Sequence, residues 1–137
     1  MTDVTEILQL FQNAIATFAE RVSQVRVQYY SKTVASCHHY ILKHLYQELT
    51  LSHLAKEVNI NPSYLSFLFK KEVGIPVSTF IQQEKIEEAK NLLTLTDYSI
   101  TEIYTSLNFT DQSYFTKVFK RFTGITPLEY RNRNTLS

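Results

Sequence analysis

At 137 residues the chain is long enough for one domain with a real core, or for two small helical subdomains sharing a helix, and too short for a large catalytic fold. Apolar residues make up 44% of it and aromatics 13%, so enough surface can be buried to exclude disorder. The formal net charge is +1, so overall charge gives no warrant for a nucleic-acid partner and the placement of charges has to decide.

No Gly or Pro occurs before Pro62, and alternating β-branched runs bounded by tight turns are missing. Both features predict an all-α fold with long helices early in the chain. No stretch approaches the roughly 20 apolar residues that cross a bilayer, and no basic segment leads into an apolar one at the N-terminus. The expectation is a cytoplasmic protein without a membrane partner. The single Cys37 cannot close an intramolecular disulfide, which suits a reducing compartment.

In chain order, the first element is a helix. Val4, Leu8, Phe11, Ile15, Phe18, Val22, Val25 and Tyr29 recur at intervals of four and three, a heptad repeat, with Asp3 and Glu6 able to form its capping box. Leu8, Phe11, Ile15, Phe18, Val22 and Val25 are the expected dimerisation stripe. A signalling helix joining a sensor domain to the rest, or a stripe laid on the chain's own core, are the other readings. Without a sensor domain the chain is expected to be either a small stand-alone protein or, as a helical stripe with no partner domain favours, a piece of a larger one. Next come Cys37, His38, His39 and His44. Adjacent histidines point to different sides of a helix and no second ligand cluster exists, so no metal is expected.

Leu51, Leu54, Ala55 and Val58 then follow helical spacing, and Asn59 sits where the chain must turn. Asn61 can cap the following helix, with Pro62 at its first position and Gly74 at its end. Leu65, Leu68 and Phe69 face inward. Ser78 to Leu95 lacks Gly and Pro and predicts one connecting helix, with Ile86, Ala89, Leu92 and Leu93 turned to its neighbours and acidic residues at Glu84, Glu87 and Glu88. The logic then repeats: Ile100, Ile103 and Leu107, a turn at Asn108, a cap at Thr110 or Asp111, inward Phe115, Val118 and Phe119, and a stop at Gly124.

The repetition is internal and specific. Tyr64-Leu65-Ser66-Phe67-Leu68-Phe69-Lys70-Lys71 with Gly74-Ile75 returns fifty residues later as Tyr114-Phe115-Thr116-Lys117-Val118-Phe119-Lys120-Arg121 with Gly124-Ile125. Upstream the offset is 49, pairing Leu54 with Ile103, Val58 with Leu107 and Asn59 with Asn108, so the second copy has one extra residue in its turn. A helix, a short turn and a second helix form the unit that places its second member in a DNA major groove. The expected organisation is 1–34 as the N-terminal helix, 35–76 and 97–137 as helix-turn-helix subdomains, and 77–96 as the connector.

From about Cys37 to Arg133 the chain resembles the C-terminal DNA-binding domain of AraC/XylS-type transcription regulators. The resemblance is carried by Asn108 through Arg121, then Gly124-Ile125-Thr126-Pro127 and Tyr130-Arg131. It implies seven helices, two helix-turn-helix subdomains bridged by one long helix, a role in activation, and RNA polymerase as a partner. Departures from the family pattern are Tyr104 in place of a small Ala, Asn108 in place of a turn Gly, and Phe67 where a base-reading Arg often stands.

The outward faces of the two second helices carry the candidate DNA-reading residues: Ser63, Ser66 and Phe67 in the first, Gln112, Ser113, Thr116 and Lys117 in the second. Gln112 can pair with adenine and Lys117 can contact guanine. Phe67 can meet a thymine methyl group or fold back into the first core. Lys70, Lys71, Lys120 and Arg121 close these helices and are expected at phosphates, unless they only offset the helix dipoles. Tyr64 and Tyr114 are expected to pack between elements. No Gly-rich phosphate loop, nucleophile elbow or paired-carboxylate cleft is present, so neither enzymatic activity nor a cofactor is expected. The competing function is a helical protein-interaction module whose working surface is the heptad stripe.

Overall fold

The computed structural model describes residues 30–134, and every regular element among them is a helix. In chain order they are α1 (Lys32–Lys43), α2 (Leu51–Glu57), α3 (Pro62–Val73), α4 (Val77–Leu95), α5 (Ile100–Ser106), α6 (Gln112–Thr123) and α7 (Pro127–Asn134). The stripe Leu8, Phe11, Ile15, Phe18, Val22 and Val25 lies outside the described residues.

Most helix starts have a side chain that satisfies otherwise unpaired backbone N–H groups. Thr50 accepts from the His53 amide at 3.1 Å, Asn61 from Ser63 at 2.8 Å, and Asp111 from Tyr114 at 2.8 Å. The cap between Thr110 and Asp111 is thereby decided for Asp111. Ser99 and Glu102 form a reciprocal capping box at α5, each bonding the other's backbone amide.

The two turns are near copies. Asn59 and Asn108 take left-handed backbone angles, φ 59° and 62°, which an asparagine tolerates better than most residues. In the first turn Ile60 N donates to Ala55 O and Asn59 N to Lys56 O; in the second, Phe109 N donates to Tyr104 O and Asn108 N to Thr105 O. This is the Schellman pattern, and the residue after each Asn turns an apolar side chain inward, half-buried Ile60 and buried Phe109. The helices that follow end at Gly74 and Gly124, both with positive φ.

Two cores result, and α4 serves both. Its first turns give Val77, Phe80 and Ile81 to a core with Val34, Cys37, Ile41, Leu54, Leu65 and Phe69. Its later turns give Ile86, Ala89 and Leu93 to a core with Ile103, Leu107, Phe115, Val118 and Phe119. Packing of the second core is largely aromatic: Phe115 lies 5.0 Å from Phe109 and 5.8 Å from Phe119, which meets Tyr130 edge-on at 5.6 Å. Tyr104, the bulky residue in place of Ala, fits by stacking on Phe115 at 6.1 Å.

Two sequence expectations change. The boundary drawn at 34/35 falls inside α1, whose N-cap Ser31 is tied by its hydroxyl to Glu72 at the far end of α3, 2.9 Å away. Leu68 faces inward as expected, half-buried against the first core. Tyr64 is 54% exposed and does not pack between elements.

Candidate nucleic-acid interface

On α3, Leu65 and Phe69 are buried, and Ser63, Phe67, Lys70 and Lys71 on the opposite side are exposed. On α6, Phe115, Val118 and Phe119 are buried, and Gln112, Ser113, Lys117, Lys120 and Arg121 are exposed. Helical periodicity produces this division, because side chains three and four apart share one face. Ser66 and Thr116, equivalent in the repeat, are both half-buried at the edge of that face. Two polar rows of matching register therefore project from the second helix of each unit.

Phe67 is 62% exposed, so it does not fold back into the first core. The Lys71 ammonium sits 5.9 Å from its ring centroid, one helical turn on, which keeps a cation beside an apolar plate on the outer face of α3. Lys120 and Arg121 close α6 as Lys70 and Lys71 close α3. Hydrogen bonds from the Thr126 hydroxyl and amide hold the Glu129 carboxylate below its usual range, and Arg133 and Lys120 add smaller attractions. Lys120 thus has an acidic neighbour as well as solvent around it.

Arg131 has a different place from the other C-terminal cations. Its Nε donates to the Leu93 carbonyl at 3.0 Å and its guanidinium reaches the Thr96 carbonyl at 3.4 Å, so it satisfies the C-terminal end of α4. Cys37 and His38 are buried and His39 is exposed, on different sides of α1. No group of three or more metal-binding side chains is found among the described residues.

Reasoning from sequence missed the junction between the units. Lys85 is only 6% exposed; its ammonium donates to Leu107 O at 2.7 Å and to Gln47 O at 3.3 Å. Asn108 Nδ2 donates to Tyr46 O at 2.6 Å, and Gln82 Nε2 donates to the Tyr114 hydroxyl at 2.6 Å. Burial lowers the Lys85 pKa, and nearby Glu48 partly counters that. The sequence did hold a signal: Ile81, Lys85, Ala89 and Leu93 are spaced by four, so Lys85 occupies the buried row of α4.

Residues 54–133 match a family described as a helix-turn-helix domain. The regulatory protein PocR of Salmonella typhimurium is 38% identical over 94 residues, which cover 69% of this chain and 31% of PocR. The arabinose operon regulatory protein of Escherichia coli is 38% identical over 93 residues, covering 67% of this chain and 32% of that protein. The chain therefore spans about a third of the length of these curated relatives. Among solved structures, the C-terminal domain of AraT, a response regulator from Geobacillus stearothermophilus, is similar with a TM-score of 0.75 and 35% identity, covering 78% of this chain and 89% of that one.

Proposed function

The chain belongs to the AraC-type family of helix-turn-helix transcription regulators, and from that premise we propose that it is the duplex-reading part of a larger regulator, binding two successive major-groove segments with α3 and α6. The observation that carries this reading is the pair of matched rows. Two helices, built on equivalent Asn turns and ended by equivalent Gly caps, each bury one face and leave short polar groups with a cationic end on the other.

Ser63, Ser66 and Phe67 on α3, and Gln112, Ser113, Thr116 and Lys117 on α6, read base edges. The amide and the hydroxyls offer donor and acceptor pairs, Lys117 suits guanine, and Phe67 suits a thymine methyl group. Lys70, Lys71, Lys120 and Arg121 hold phosphates and set register without reading sequence. With α4 as a stiff connector, the two segments lie about 34 Å apart on one face of the duplex. Bending of the duplex accommodates any departure of the two helices from parallel.

The finer assignments belong to the same proposal. The whole protein works in the cytoplasm as an activator, contacts RNA polymerase, and pairs through the N-terminal stripe of Leu8, Phe11, Ile15, Phe18, Val22 and Val25. A second site gained by pairing raises affinity through linkage. None of this involves a catalytic step.

Selection from a random duplex pool, followed by salt titration of the recovered sequence, tests the proposal. About four phosphate contacts give a slope of log K against log salt near −3 to −4, at roughly −0.9 each. A recovered consensus with that slope is the expected result. Absence of enrichment, or binding insensitive to salt, points instead to a protein-interaction module.

A further inference from the structure

Resting on the duplex-reading role proposed above, we infer that Lys85 is a positioning residue that dictates which spacing between the two half-segments of the DNA site the chain accepts. Lys85 lies where α4 passes from one core to the other, between Ile81, buried in the first, and Ile86 and Ala89, buried in the second. Its ammonium bonds Leu107 O, in the residue immediately before the left-handed Asn108 of the second turn, and Gln47 O, in the connection between α1 and α2. One buried cation therefore holds main-chain atoms of both units.

Neighbouring polar contacts have the same sense. Asn108 reaches back from the second turn to the Tyr46 carbonyl, next to the residue Lys85 holds. Gln82, nearly one turn earlier on α4, reaches Tyr114 at the start of α6. Apolar contact does not fill this junction, because a cleft of about 250 Å³ remains, lined by residues that include Leu49, Val77, Gln82, Lys85, Asn108 and Tyr114. The hydrophobic effect is non-directional and sets no angle where packing leaves a cleft, whereas hydrogen bonds weaken steeply once donor and acceptor fall out of line. Bonds from a charged donor in a desolvated site are the stronger kind, and breaking one strands a buried charge. The angle between the units, and with it the offset between α3 and α6, is accordingly set by Lys85 with Asn108 as its auxiliary.

Spacing is the property this device controls. One inserted base pair moves the second half-segment about 3.4 Å along the duplex and turns it by roughly 35°. A locked junction cannot follow that change and a loosened one can. Lys85→Met keeps a straight side chain in the buried row and removes the ammonium. Asn108→Gly keeps the left-handed turn and removes only the bond to Tyr46.

The test uses the duplex that the unaltered chain recovers from a random pool, together with versions carrying one or two base pairs added or removed between its two half-segments. The unaltered chain is expected to lose tenfold or more in affinity at a single added or removed pair. Lys85→Met is expected to retain helical circular dichroism and cooperative unfolding, bind the original duplex more weakly, and vary less than threefold across the series. Asn108→Gly is expected to fall between them. A Lys85→Met protein that weakens on every duplex alike, keeping the tenfold spacing ratio, overturns the inference. If Lys85→Met does not fold or binds too weakly to measure, Asn108→Gly decides, and an unaltered spacing ratio there overturns it. Failure of the unaltered chain to enrich any duplex refutes the duplex-reading premise itself and is distinct from either result.

Discussion

Lys117 and Lys71 are both exposed lysines on second helices of their units, yet the proposed interface gives them opposite tasks, and replacing each by Ala separates those tasks. Neither side chain belongs to a core, so each replacement should change unfolding free energy by less than about 0.5 kcal/mol. Lys117 stands two residues beyond Phe115 on the outer face of α6, a central position from which a side chain reaches a base edge. Its loss should remove about 1–3 kcal/mol on the selected duplex, roughly 5- to 150-fold in Kd, with little effect on random duplex. Lys71 lies in the last turn of α3 beside the Phe67 ring, where a phosphate is the nearer target. Its loss should weaken both duplexes by the same factor and make the logarithmic salt slope shallower by about 0.9. Fluorescence anisotropy on both duplexes at four salt concentrations measures both effects. Equal losses from Lys117→Ala on selected and random DNA, or sequence-dependent losses from Lys71→Ala, would refute the division of labour.

Other expectations concern the scaffold. Burial pushes the Cys37 thiol from 9.0 up to about 11, so the folded state retains the proton more strongly than the unfolded chain; the stabilisation is complete below pH 9 and is lost as pH rises through the window to about 11. At about 1.4 kcal/mol for each pH unit, Cys37→Ala should lose about 2–3 kcal/mol less than the unaltered chain between pH 9 and 11 in urea unfolding, and parallel pH profiles would contradict this. Phe119→Ala removes a fully buried ring flanked by Phe115 and Tyr130 and should cost about 3–5 kcal/mol in the same assay, whereas a loss under 1 kcal/mol would mean that the second core is packed otherwise. Gly124→Ala meets no neighbouring atom within 4 Å, so its expected destabilisation of about 1–2 kcal/mol comes only from holding φ at 85°; stability unchanged by the Ala would show that the cap does not need its left-handed angle.

Local chemistry was readable from the residues, and long-range chemistry was not. Asn59, Asn61, Gly74, Asn108 and Gly124 were placed correctly because turns and caps are decided by atoms within four or five residues. The buried faces of α3 and α6 followed from spacing, with Tyr64 misjudged because depth at the edge of a face depends on which helix lies over it. The boundary drawn at 34/35 fell inside α1 because the Ser31 cap that opens this helix owes its position to Glu72, forty-one residues away. Arg131 entered only as part of the family resemblance, and its partners are carbonyls at the end of α4, thirty-five and thirty-eight residues back. Lys85 escaped notice for a related reason: a lysine is almost never buried, and the carbonyls that satisfy it, Gln47 and Leu107, come from different units, thirty-eight residues before it and twenty-two after.

One chain bearing two readers in fixed phase makes a direct demand on the DNA. Methylation interference at guanine N7, performed on a selected duplex with a single bound chain, locates the major-groove positions that must stay open. Two clusters of interference are expected, centred about 10–10.5 base pairs apart on one face of the duplex. A single cluster, or two clusters on opposite faces, would contradict this.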